Sequence, residues 1–262
     1  MKLGFIGVGN MAKAIISGLV KKDVAGKDIL VHSAHPQNYE TFAKQHGLTA
    51  VSDNTAVAQQ ADVIILAVKP TVIKRVAEEI QPVLTEEKLV VSIASGVSLA
   101  DLQAVLGTAQ PILRVMPNVN VEIAQGMTAV KATGDLNAAP YQAGVELFAR
   151  IGKTMEVAEN DFPIFAALAG SAPAYAYLFI DALSRAGVKY GLTKANATKI
   201  AAQMVQGSAQ MVLNSDEVPY ALIDKVSSPG GTTVAGLLAM EEAGFSPAVV
   251  KGIDATMAKE NG

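Results

Sequence analysis

Lys2-Leu-Gly-Phe-Ile-Gly7-Val-Gly9-Asn-Met-Ala12 sets two glycines and an alanine at G-x-G-x-x-A spacing directly after a short hydrophobic run. That spacing permits pyrophosphate binding. Gly7 allows a tight turn, Gly9 lets a phosphate approach the backbone, and Ala12 lets the next helix pack on a sheet. The phosphates would rest on free amides at the positive end of that helix. The competing reading is a glycine-rich turn that only packs. An NAD site usually carries an acid about 20 residues further on, at the end of the second strand. Here Ile29-Leu-Val-His32 runs into Ser33-Ala34-His35 with no carboxylate. Nothing there repels a 2′-phosphate, and Ser33, His35 and nearby Asn54 can offer hydrogen bonds to one, so NADP is expected over NAD. No arginine stands at this strand end, which predicts weak discrimination. Ala67-Val68-Lys69-Pro70 and Ile93-Ala94-Ser95-Gly96 follow later strands and should line the same crevice. Lys69 is read as a dinucleotide contact rather than a Schiff-base lysine.

A second loop, Val226-Ser227-Ser228-Pro229-Gly230-Gly231-Thr232-Thr233, leads into a helix that should close near Gly244. Its amides and hydroxyls can hold a small carboxylate, although an ordinary N-cap after a Pro-Gly turn would look the same. The three histidines, His32, His35 and His46, all lie in the first half, and cysteine is absent. Metal and thiolate chemistry are therefore not expected. Oxidation of a hydroxy acid needs a base for the hydroxyl proton, for which Lys189, Lys194 or Lys199 could serve. Reduction of a protonated C=N bond needs only a positioned hydride donor and hydrogen bonds.

These loops need a scaffold, and 262 residues suffice for one or two domains of roughly 150 residues each. Half the residues are hydrophobic, 17% are charged and the mean hydropathy is +0.32, which excludes a disordered chain. A net charge of −3 gives no reason to approach nucleic acid or an anionic membrane. The opening residues lack the basic flank and long apolar region of an export signal, and a cytoplasmic protein is expected. Strands are predicted at Lys2–Ile6, Ile29–His32, Asp62–Val68, Leu89–Ile93 and Ile112–Val115. More strand pieces should flank a helix over Asn137–Arg150, with a turn at Ile151-Gly152-Lys153. Beyond Asp161 only helices are predicted. Thr193 should cap one running to about Asn214, Ser215 with Pro219 should start another, and Ser246 before Pro247 should open the last. Phe162 to Ile180 carries no charge. Its prolines and the flanking Asp161 and Asp181 favour a helix buried in a domain or between subunits over a membrane span. The fold class is α/β: a Rossmann-type doubly wound sheet over residues 1–160, then an all-helical unit over 161–262. The surplus of apolar, small-residue helix surface suggests a homo-oligomer.

Five stretches carry a family resemblance: Phe5-Ile-Gly-Val-Gly-Asn-Met-Ala12, Ala67-Val-Lys-Pro70, Arg114-Val-Met-Pro-Asn118, Gly170-Ser-Ala-Pro-Ala174 and Val226-Ser-Ser-Pro-Gly-Gly-Thr-Thr-Val-Ala-Gly236. Over almost its whole length the chain resembles the pyrroline-5-carboxylate reductases, which reduce a cyclic imine to proline with NAD(P)H. Ala172 departs conservatively from a position where glycine is common. The resemblance implies that Ile6, Gly7, Val8, Gly9, Asn10, Met11, Ser33, Asn54, Ala67 to Pro70 and Ile93, Ala94 and Ser95 bind the cofactor. It implies that the loop from Ser228 through Gly230, Gly231 and Thr232 holds the substrate carboxylate, and that the Thr233 hydroxyl meets the ring nitrogen. Asp216 falls where an acid lies near the amine, with Glu217 beside it as a competitor. It further implies helix-swapped dimers, often five of them in a decamer. A β-hydroxy-acid dehydrogenase relative and a non-catalytic dinucleotide sensor are the alternatives.

Overall fold

In a computed structural model, residues 1–260 are described. Parallel strands and helices alternate first: β1 Leu3–Ile6, α1 Asn10–Lys21, β2 Ile29–His32, α2 Glu40–His46, β3 Thr49–Ala50, α3 Asn54–Gln60 and β4 Val63–Leu66. The series continues with α4 Pro70–Ile80, β5 Leu89–Ser92, α5 Leu99–Leu106, β6 Ile112–Met116, β7 Gly126–Ala132, α6 Ala139–Ala149 and β8 Gly152–Glu156. The sheet order is β3-β2-β1-β4-β5-β6-β7-β8, with only the β6–β7 pair antiparallel. This is the doubly wound arrangement that the alternation predicts. Strand side chains alternate between two cores. Leu3, Phe5, Val63 and Ile65 face Ile15, Ile16, Leu19 and Phe148, while Ile6, Ile64 and Leu66 face Val57, Val76, Ile80 and Leu102.

Apart from Thr49–Ala50, which no predicted run covers, the observed strands fall within or next to the predicted runs. Val63–Leu66 is shorter than expected because residues 67–69 leave the sheet before α4 begins at Pro70. The turn expected at 151–153 is a helix-to-strand junction, with Gly152 and Lys153 already in β8. Two anticipated caps are corrected. The helix at Pro219 starts after Val218, and Ser215 instead accepts from the Glu217 amide at 3.1 Å. The last helix begins at Phe245, so Ser246 sits inside its first turn. Thr193 is a true cap, its hydroxyl accepting from the Asn196 amide.

The chain divides into two compact units, Met1–Gly170 and Ser171–Gly262. Residues 161–170 belong to the first because Phe162 and Ala167 are buried and the Ala169 carbonyl accepts from Asn118. This stretch holds α7 Phe162–Phe165 and the start of a π-helical turn over Ala166–Ser171. The second unit contains α8 Ala172–Lys189, α9 Lys194–Leu213, α10 Pro219–Val226, α11 Thr232–Glu242 and α12 Phe245–Glu260. Among its described residues only Ser184, Ala197 and Ala201 are buried. The run Glu159–Lys189 is long and apolar enough to cross a membrane by length and composition, yet only 11% of its most apolar stretch is buried. Burial inside a domain, one of the two expectations for this helix, is thus not what one chain provides.

Ser98 and Asp101 form a reciprocal capping box at the start of α5. The Ser98 hydroxyl and amide hold the Asp101 carboxyl below its usual range. Ser98→Ala should cost about 1 kcal/mol in urea unfolding at neutral pH. Because folding lowers the Asp101 pKa, its contribution is present above roughly pH 4 and lost as pH falls through the folded value. The difference between parent and Ser98→Ala should therefore shrink in acid.

Candidate functional site

Ile6 is level with His32 and Leu66, and Leu66 with Ser92, so β1, β2, β4 and β5 end along one edge of the sheet. Chain order reverses between β1 and β4, the place where open α/β sheets bind ligands. Gly7 turns the chain there with φ +92°, and a Cβ at this residue would lie 2.5 Å from the Ala67 carbonyl oxygen. Its amide donates to the His32 carbonyl at 2.8 Å, while the Ala67 amide donates to the Ile6 carbonyl at 2.8 Å. The turn thereby ties three strand ends together. Gly9 caps α1 without any side-chain acceptor, and the space that its Cβ would take is open to 4 Å. This bare helix terminus beside an open cradle fits a dinucleotide pyrophosphate. Ile6 and Val8 are buried, so they can meet a ligand only through the backbone, whereas Asn10 is exposed and Met11 half-buried.

The other expected contacts gather on the same edge. Ser33 is half-buried just past β2, and His35 is exposed. Ala67 and Val68 are half-buried ahead of the exposed Lys69 and Pro70, the N-cap and first residue of α4. Ile93 and Ser95 are half-buried and Ala94 is buried, with the Ile93 amide still donating to the Leu66 carbonyl. Asn54 opens α3, but its Nδ2 donates to Glu79 Oε2 at 2.9 Å. One of its donors is thus already committed. A groove of about 630 Å³ starts at Asn10 and Met11 and passes Lys13 and Ser17 toward Phe42 and Val119.

In the second unit, Gly230 with φ +68° closes a turn in which the Gly231 amide donates to the Ser228 carbonyl at 2.9 Å. Gly231 then caps α11 with no side-chain acceptor, leaving an uncapped helix start at the exposed Thr232 and Thr233. The Ser227 hydroxyl is buried and finds no partner among the described residues. Asp216 is exposed and makes no ion pair among the described residues, whereas Glu217 is paired with Lys225. Of the two adjacent acids, Glu217 is the one engaged by a cation. Lys194 pairs with Asp181 at 2.5 Å and also contacts Ser184. Lys194 and Arg185 hold the Asp181 carboxyl below its usual range.

Sequence reasoning assigned no role to Arg114, Asn118 or Glu159. Asn118 Oδ1 accepts from the Met127 amide at 3.2 Å, and its Nδ2 donates to the Ala169 carbonyl at 2.9 Å. Arg114 pairs with Glu159 at 2.6 Å. The available signal was a cation inside the apolar strand Ile112-Leu-Arg-Val115.

Fold and site together define a Rossmann-type dinucleotide oxidoreductase with a helical second unit. Residues 2–96 match the family described as NADP oxidoreductase coenzyme F420-dependent, and residues 159–262 match pyrroline-5-carboxylate reductase dimerisation. The chain is 40% identical to the pyrroline-5-carboxylate reductase of Escherichia coli K12 over 259 residues, 98% of this chain and 96% of that one. The crystal structure of Plasmodium falciparum pyrroline carboxylate reductase with NADP bound superposes with a TM-score of 0.87 at 31% identity, covering 99% of this chain and 97% of the other. The chain belongs to the pyrroline-5-carboxylate reductase family. A 3-hydroxyisobutyrate dehydrogenase from Mycobacterium tuberculosis shares the fold alone, at 17% identity and a TM-score of 0.53 over 73% of this chain and 66% of that one.

Gly9→Ala meets no protein atom within 4 Å, so it should leave stability within about 1 kcal/mol of the parent while weakening NADPH binding at least about tenfold. Gly7→Ala, strained at φ +92° and blocked by Ala67, should lose more than about 1 kcal/mol of stability as well. Calorimetric NADPH titration beside thermal melts separates the two effects.

Proposed function

We propose that this protein reduces L-1-pyrroline-5-carboxylate to L-proline, the last step of proline biosynthesis, with residues 1–160 holding the dinucleotide and 161–262 serving substrate binding and dimerisation. The observation that carries this reading is 40% identity, over nearly the full length of both chains, to a reductase of that name. When bound, the reduced nicotinamide supplies a hydride to the imine carbon. The substrate's ring nitrogen already carries its proton as an iminium, so the chain need not provide a strong acid. The amides of Gly230, Gly231 and Thr232, with Ser228, hold the carboxylate. The Thr233 hydroxyl orients the ring nitrogen and Asp216 favours its positive charge. Gly7 to Met11 hold the pyrophosphate, and Ser33 and Asn54 meet the adenosine ribose. Ala67 to Pro70 and Ile93 to Ser95 meet the remainder of the cofactor. NADPH is preferred over NADH because no acid closes β2.

The second unit's shortage of buried residues supports assembly into dimers and, by resemblance, a decamer of five dimers in the cytoplasm. Native mass spectrometry should show no stable 27.1 kDa monomer at micromolar concentration. The activity is tested by following NADPH absorbance with the imine present, and no oxidation of NADPH or NADH would sink the assignment. Removing one hydrogen bond to a charged group costs about 1.5–3 kcal/mol. Thr233→Ala should therefore lower kcat/KM by roughly ten- to a hundredfold, and an unchanged value would remove Thr233 from the mechanism.

A further inference from the structure

Arg114 lies in β6 with 6% of its surface exposed. One guanidinium nitrogen donates to Glu159 Oε1 at 2.6 Å, and the guanidinium carbon stands 4.3 Å from the ring centre of Phe162, itself only 1% exposed. Its Nε is buried with no partner among the described residues. The same Glu159 oxygen also accepts from the Leu99 amide at 3.0 Å. Leu99 is the first residue of α5, so this carboxylate meets the helix where the macrodipole favours an anion. A buried ion pair is seldom a better source of stability than apolar side chains of similar volume. Two donors on one oxygen do something that apolar packing does not: they fix where the Leu99 amide stands relative to β6.

The loop between β5 and α5 covers residues 93–98. At its β5 end the Ile93 amide donates to the Leu66 carbonyl and the Ala94 amide to Ser92 Oγ. At its α5 end are the Ser98–Asp101 capping box and the Glu159 carboxylate, reached from 60 residues further along the chain. Between these ends Gly96 turns with φ +71°. The α5 end is held by a long-range charged contact. We infer that Arg114 and Glu159 are positioning residues that set the place of the cofactor-holding loop 93–98 through the Leu99 amide. The inference rests on the proposed cofactor role of Ile93, Ala94 and Ser95.

The test compares the full-length parent with Glu159→Ala and Glu159→Gln by NADPH titration, with steady-state kinetics and the primary isotope effect from C4-deuterated NADPH alongside. Glu159→Ala should raise the Kd for NADPH about tenfold, equivalent to one lost cap-type contact, with the imine KM changed less than about twofold. Its isotope effect should rise, because a displaced ring makes hydride transfer limiting. Glu159→Gln, which keeps an oxygen for Leu99 and Arg114, should recover most of the loss. The paired variant Arg114→Met with Glu159→Leu leaves no charge buried alone and carries the same expectation if Glu159→Ala fails to fold. Folded variants with lowered Tm but parental Kd and isotope effect would overturn the inference, since a purely structural role predicts that result. A parent that binds NADPH without reducing the imine would sink the reductase reading, and the Kd comparison would still decide this one.

Discussion

The contact on which the rest of the first unit depends is the passage of the Gly7 backbone against the Ala67 carbonyl. No side chain fits between them, and no L-residue takes the +92° φ of Gly7 without strain. That approach brings the end of β1, the end of β4 and the bare start of α1 to one point. The crevice lies there because the sheet's strand order reverses there, and Ser33, Lys69 and Ser95 fall around it because parallel strands end on the same edge. Placement of polar groups for a dinucleotide is thus a consequence of sheet topology and one tight turn.

The second unit is governed by an opposite constraint. Its helices carry exposed apolar side chains such as Leu178 at 70% and Leu213 at 76%, with almost nothing buried in return. Apolar surface left in water forfeits roughly 25 cal/mol for each Å², so these helices need further surface to pack on. A family whose matching region is described by dimerisation supplies that requirement from a second chain. The apolar excess in the composition and the uncharged stretch from Ser171 to Ile180 are both expressions of it.

Local rules made much of this legible in the sequence. The glycine fingerprint was readable because its chemistry is confined to consecutive residues, and the central strands because they are buried on both faces. Thr49–Ala50 was not, since two exposed residues in a strand leave no periodicity. The start of the last helix was misplaced by two residues because Ser246 directly before Pro247 reads as a cap, while Phe245 already continues from the turn at Gly244. The pairs Asn54–Glu79 and Arg114–Glu159 were out of reach for a different reason. Their partners stand 25 and 45 residues apart, and only the folded sheet brings them together. The glycine loop at 228–233 was legible as a helix start without a side-chain cap, whereas the pairing of Glu217 with Lys225 needed the structure.

The central claim is direct hydride delivery from the dinucleotide to a C=N carbon. It is tested most directly by incubating the protein with the imine and NADPH dideuterated at nicotinamide C4 in ordinary water, then locating the label in the product. The account predicts L-proline bearing a single deuterium at C5. Unlabelled proline, or deuterium at any other carbon, would contradict it.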